Sequence, residues 1–324
     1  MSRIETRYRR LLRVLPAYYR QQWEEDMVAT FLDSVAPGER EDEQIVAEYG
    51  WPSAAEARSV LALAARLRFG GTGAPRRYAL SGAVVRRFAL AGMLFHAATA
   101  MTTLVLRLAW PPEVVRTAPP VEMVLRFLWL PAFLALVTGR LRVTATAAGL
   151  ATAAAVVAAL TTTGRGFTAP ELGLLVLDVL LVAAVAAFHR DAPPVRPRPW
   201  LIALPVTAVC AFAVEYAGLL GDAGVASALV SAVGVAFLCT RRVFAWRHDQ
   251  AGWALTLAVL ALAALGLRVL ALPQLETAVP ARSALLTAGY GETVVAFVVA
   301  VVLAVVAYRS VAGPRAVTSG TSPA

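Results

Sequence analysis

The chain has 324 residues, 59% of them hydrophobic and 16% charged, with a mean hydropathy of +0.65. Soluble domains carry about 25% charged residues, so this composition excludes an ordinary soluble domain and points to helices crossing ~30 Å of hydrocarbon. The formal charge of +9 excludes little by itself. Every basic residue is Arg, residues 1–66 hold about 9 Arg against about 11 acids, and the excess lies between apolar runs. The positive-inside rule accounts for that placement, so no direct nucleic-acid contact is expected.

In chain order, Ile4, Tyr8, Leu11, Leu12 and Leu15 repeat at helical spacing over residues 2–15, and Pro16 ends the helix. A second helix is expected over 17–35, with Tyr19, Trp23, Met27, Phe31 and Val35 as its apolar stripe and Pro37-Gly38 closing it. An acidic stretch then opens a short third helix with Ile45, Val46 and Tyr49 inward. Ser53 with Glu56 three residues on forms a capping box for a fourth, carrying Val60, Leu61, Ala64 and Leu67. Residues 1–68 thus read as a small cytoplasmic four-helix module, marginal alone at this size. Residues 69–87 read as a basic linker, with Arg76, Arg77, Arg86 and Arg87 as a cytoplasmic anchor.

About eight spans follow, near 88–109, 121–138, 144–162, 170–188, 200–220, 223–240, 252–272 and 290–308, and then a polar, disordered tail over 310–324. Alternate connections carry roughly ten arginines against three, which places both termini in the cytoplasm of a bacterial inner membrane. The third span is rich in Ala and Thr. Its Ala145, Gly149 and Ala153 at four-residue spacing suit close helix packing or a dimer face. Ala223, Ser227 and Ser231 repeat the pattern in the sixth. Cys210 and Cys239, at different depths, read as packed free thiols.

No phosphate-binding loop, HExxH, GxSxG or CxxC is present, and His96, His189 and His248 fall in separate elements. No metal set, cofactor or catalytic group is expected, and the chain reads as non-enzymatic. What remains are ionisable residues within spans, which are costly and therefore candidates for function. Asp178 and Glu215 lie in the fourth and fifth spans, and Arg107, Arg126 and Arg268 in the outer thirds of the first, second and seventh. Two readings stand. Either the arginines snorkel to the headgroups and the acids are neutralised locally, or Asp178 and Glu215 meet Arg126 or Arg268 in a polar cavity open to the outside. Such a cavity would suit a small ligand, a lipid headgroup or a proton. The basic loops also suit anionic membrane lipids.

The pattern RYRRLLRVLPAYYRQQWEEDMVATFLD over 7–33, followed by EYGWPSAAEARSVLALAARLRF, resembles the N-terminal helical module of HAAS-type, PadR-associated bacterial membrane proteins. The shared features are the Arg-rich first helix, the Leu15-Pro16 break, the acidic second helix, and Gly50, Pro52 and Ala57 turning into the last helix. Tyr19-Arg20 leads to Glu25-Asp26-Met27, so the acid before Met is Asp. The resemblance covers about the first fifth of the chain. It implies a signalling module joined to a membrane sensor or permease, with a PadR-like regulator or other cytoplasmic protein as partner, and it implies no catalytic residues. The contact surface would be the charged face of Arg9, Arg10, Arg13, Glu24 and Glu25, and a homo-oligomer is also compatible. The expected fold is all-α: a polytopic transmembrane helical bundle with a small N-terminal cytoplasmic helical domain. The expected role is sensing or signalling, with a transporter or permease component as the alternative.

Overall fold

A computed structural model of the chain describes residues 2–35, 51–71, 73–109, 120–162, 168–189, 191–216, 221–240, 249–278 and 283–312. Among them all regular structure is helical. The chain divides into two units. One is Met1–Ala83 with Ala186–Pro193; the other is Val84–Val185 with Pro194–Ala324.

In the first unit, α1 spans Arg3–Leu12, α2 Ala17–Val35 and α3 Ala54–Arg68. The Ser2 hydroxyl accepts the Glu5 N–H at 3.2 Å, satisfying one of the free donors of the first turn. Ahead of Pro16 the chain tightens, with Leu15 N–H on the Leu12 carbonyl at 2.9 Å. The core joins Ile4, Tyr8, Leu12 and Leu15 to Val28, Phe31, Val60, Ala64 and Leu67. Tyr8 stacks on Phe31 at 4.0 Å.

Three details differ from expectation. Trp23 is 43% exposed and Leu61 52% exposed, because α2 and α3 bury the faces centred on Val28–Phe31 and Val60–Ala64 instead. Glu56 completes only half of a capping box. Ser53 accepts the Glu56 N–H at 3.1 Å, but the Glu56 carboxylate accepts the Tyr8 hydroxyl at 3.0 Å. A buried tyrosine needs a partner for its oxygen, and Glu56 is within reach. Burial first, and then Glu56, push the Tyr8 hydroxyl well above its ordinary pKa. The expected third helix, over the acidic stretch, lies outside the described residues, as does the tail from residue 313.

The second unit is built on α4 Arg76–Ala109, whose first turns belong to the first unit, then α5 Pro120–Phe127, α6 Trp129–Val137, α7 Leu141–Thr162 and α8 Ala169–Ala184 with a 3-10 turn at Val185–Ala187. It continues with α9 Pro197–Tyr216, α10 Gly221–Thr240, α11 Gln250–Ala278 and α12 Ser283–Ala312. Among the described residues six stretches are long and apolar enough to cross a membrane: Arg76–Leu106, Leu141–Ala158, Ala169–Ala187, Pro197–Val214, Gln250–Pro273 and Gly289–Ala312. Val124–Val137 and Gly224–Thr240 are shorter apolar helices, so of the expected eight spans six coincide with helices of crossing length among the described residues and two do not. α4 starts at Arg76, inside the stretch read as a linker, and all four anchoring arginines are helical.

α10, α11 and α12 share a core of Phe237, Ala254, Leu257, Ala258, Ala261, Val299, Ala300, Leu303 and Ala307. Their alanines let the helices approach closely. The other face of α12 exposes Val294, Val295, Phe297 and Val298. In water such a stripe would be a large apolar patch; against lipid it is the expected surface. In α7 the buried positions are Thr144, Ala148, Ala151 and Thr152. The row Ala145, Gly149, Ala153 does not form the packed face: Ala145 and Ala153 are exposed, and a methyl at Gly149 would meet nothing within 4 Å. Cys210 and Cys239 are free, as expected, but exposed rather than packed.

Candidate functional site

Gly92 on α4 has no side chain, and a Cβ there would overlap the Leu181 side chain on α8. Leu181 is fully buried. One helical turn beyond Gly92 is His96, and one turn before Leu181 is Asp178, so the close approach at Gly92 also brings this pair together. His96 Nε2 lies 3.0 Å from Asp178 Oδ1, and the two side chains are 15% and 9% exposed. The separation is that of a hydrogen bond, yet neither atom has an aligned partner and both are shut off from solvent. We therefore read the contact as electrostatic, with its hydrogen-bonding direction unmet.

The His96 ring stacks on Trp129 at 4.5 Å and 16°, and its backbone carbonyl accepts the Thr99 hydroxyl at 3.1 Å. Trp129 opens α6 just after a break in the helical path. Leu128 N–H turns back to Leu125 at 3.2 Å. Pro131 has no N–H to offer the Phe127 carbonyl four residues earlier. A carbonyl without its helical donor is thus left two residues from the tryptophan that covers His96.

Arg268, 3% exposed, pairs with Glu292 at 3.0 Å. Arg268 Nε and Glu292 Oε1 have no hydrogen-bond partner, so the contact is one-pronged. It lies within about two turns of the ends of its helices' apolar stretches, Pro273 and Gly289. Of the five intramembrane candidates, Asp178 thus takes His96 and Arg268 takes Glu292, neither of which the charge pattern had picked as a partner. Arg126 is exposed. Glu215 lies on α9 and Arg107 on α4, with their side chains outside the described residues.

A further ion pair joins Arg87 to Asp249. The guanidinium lies 4.3 Å over the Trp253 ring, while the second Asp249 oxygen accepts the Gly252 N–H at 3.1 Å. It ties α4 to the start of α11, where the sequence had suggested for Arg87 only a cytoplasmic anchor.

On the first unit, Arg9 grips Glu25 with two hydrogen bonds of 2.7 Å and Glu5 at 3.0 Å. Arg9 holds the Glu25 carboxyl below its ordinary pKa. Glu24 lies 3.6 Å from Arg20, and Arg10 and Arg13 are exposed. Within this unit Arg66 also pairs with Asp191. Arg66 first, aided by His189, holds the Asp191 carboxyl below the usual range.

Among the described residues no group of His, Cys, Asp or Glu is arranged to hold a metal ion. Comparison of the chain with protein families, with curated proteins and with solved structures finds no match.

Proposed function

We propose that the chain is a non-enzymatic membrane protein whose N-terminal helices couple the state of its apolar bundle to a cytoplasmic protein, such as a PadR-like regulator. One observation carries this reading: Ala186–Pro193 belongs to the same unit as the N-terminal helices. That segment directly follows α8, the helix that bears Asp178, and Arg66 of α3 pairs with its Asp191. The chain thus runs directly from the helix that bears this buried carboxyl into the module, and the proposed coupling would pass along that segment. The exposed arginines Arg10 and Arg13 supply the outward contact surface, since Arg9 is already engaged by acids of its own unit. The resemblance of residues 7–33 to HAAS-type modules supports the same assignment.

The test is crosslinked capture from native cells, with the full chain against one lacking residues 1–68. A DNA-binding regulator captured only with the module present is the expected result. Capture unchanged by the deletion refutes the coupling.

The second reading, a transporter or permease component, is favoured by the helix break at Leu128 beside the buried His96–Asp178 pair, since interrupted helices accompany transport sites. It predicts that flux of the transported species stops in Asp178→Asn.

A further inference from the structure

The geometry points to His96 and Asp178 as a proton-binding site inside the bundle, which gains and loses one proton along the Thr99–Thr103 face of α4. Asp178 stands midway along the apolar stretch Ala169–Ala187, so at 1.5 Å per residue it is ~13 Å from either end. His96 is ten residues, hence ~15 Å, inside Leu106. An isolated charge at this depth is strongly disfavoured, whereas a net-neutral pair is not. With His96 neutral and Asp178 ionised, the pair carries one negative charge. If the ring proton is on Nδ1, Nε2 turns its lone pair toward the carboxylate at 3.0 Å, and the two repel. One added proton removes both problems. It makes either imidazolium with carboxylate or imidazole with carboxylic acid, and both are neutral overall.

No described neighbour is placed to do this instead. Among the elements packed around the pair, α6 and the apolar length of α7 after Arg142 carry no ionisable residue. On α8 itself, Glu171 is at the N-terminus, accepting the Thr168 N–H at 2.8 Å. On α11, Arg268 is engaged by Glu292 and Glu276 stands in the last turn. On α4, Arg86 and Arg87 lie more than two turns before His96 and Arg107 three turns after it. On α9, which packs on α4 through the Thr102 hydroxyl and the Ala208 carbonyl at 3.2 Å, the ionisable residues are Arg198, Cys210, Glu215 and Tyr216. Cys210 is exposed, and Arg198, Glu215 and Tyr216 stand at the two ends of the helix.

The exchange route follows from helical spacing. Thr99 and Thr103 fall three and seven residues after His96, on the same face. Their hydroxyls bond the His96 and Thr99 carbonyls at 3.1 and 2.9 Å, each keeping lone pairs free for water. The inference goes beyond the coupling proposed above and does not need it: partner capture could fail while the proton site stands.

The test is difference infrared spectroscopy of the full chain in liposomes through a pH jump. A protonation signal from a buried carboxyl or imidazolium group is expected in the wild type. It should be lost in Asp178→Asn and in His96→Gln, and kept in Asp191→Asn. A signal that survives in Asp178→Asn overturns the site. Where either variant fails to fold, nitrogen-15 histidine resonances of the wild-type protein decide, since the chain has only three histidines. A buried ring proton that exchanges with heavy water within minutes supports the proposal. One that persists for days marks a permanent structural pair and overturns it. The double variant Thr99→Val/Thr103→Val should slow that exchange at least tenfold, and an unchanged rate refutes the route.

Discussion

Removing one member of the His96–Asp178 pair should cost far more than removing both. Asp178→Leu keeps the branched shape of the side chain, and His96→Phe keeps the ring on Trp129, which lies 4.5 Å away. For the imidazolium–carboxylate form, unit charges 3.0 Å apart attract by ~5.5 kcal/mol at an effective dielectric constant of 20. Desolvation offsets much of that attraction. Breaking a buried pair from one side nonetheless costs about 3–5 kcal/mol, because the remaining group is stranded, while replacing both by apolar groups of similar shape is near neutral. The two single variants should therefore each lose about 3–5 kcal/mol and the double variant little, so the coupling energy, the double loss minus both single losses, is about 6–10 kcal/mol in magnitude. The assay is reversible unfolding in mixed micelles, followed by helical circular dichroism, on the four chains of the cycle. A coupling below about 0.5 kcal/mol, the level at which distant sites add, would falsify the claim that these two groups share one buried site.

Gly92→Ile should lower stability by about 1–3 kcal/mol through overpacking against the buried Leu181, and it should weaken the same coupling energy by spreading α4 from α8. Thermal unfolding of this variant alone and in the cycle checks both effects. In the N-terminal unit, Tyr8→Phe keeps the stack on Phe31 but loses the bond to Glu56, costing about 1 kcal/mol; Tyr8→Ala should cost about 3–5 kcal/mol. Urea titration of the full chain, with a probe on α1, separates the two. Acid should loosen this unit. Glu25 and Asp191 have folded pKa values below their ordinary ones, so their contribution is complete above the ordinary carboxylate value of about 4. It is lost as pH falls through the folded values. Hydrogen exchange of α1 and α2 should rise across that window in the wild type and show a smaller pH step in Glu25→Gln.

Much of the helical layout was legible because local chemistry decides it. Pro16 ends α1, Ser53 starts α3, and runs of Val, Leu and Ala mark the long helices wherever they lie. Burial within those helices was less legible. Trp23 falls on an apolar stripe by spacing, yet α2 turns a neighbouring face inward. Ala145, Gly149 and Ala153 are spaced for packing, yet α7 buries Thr144 and Ala148 instead. Periodicity defines a face but not its rotation toward neighbours.

The ionisable residues show the same division. That Asp178 and Arg268 lie within apolar runs follows from the sequence, but whether such a group is buried between helices or reaches the headgroups does not. Their partners do not follow from it. Pairing by opposite charge had pointed to arginines for Asp178, and the structure supplies His96, set by the antiparallel approach at Gly92. The available signal was Gly92 one turn before His96, together with a proline at 131 inside the second apolar run. Composition thus determined a helical, membrane-type chain with a small polar-faced module at its start, because solvent preference is additive along a sequence. Only the tertiary structure decided which buried groups meet, because that depends on helix rotation and register to within an ångström.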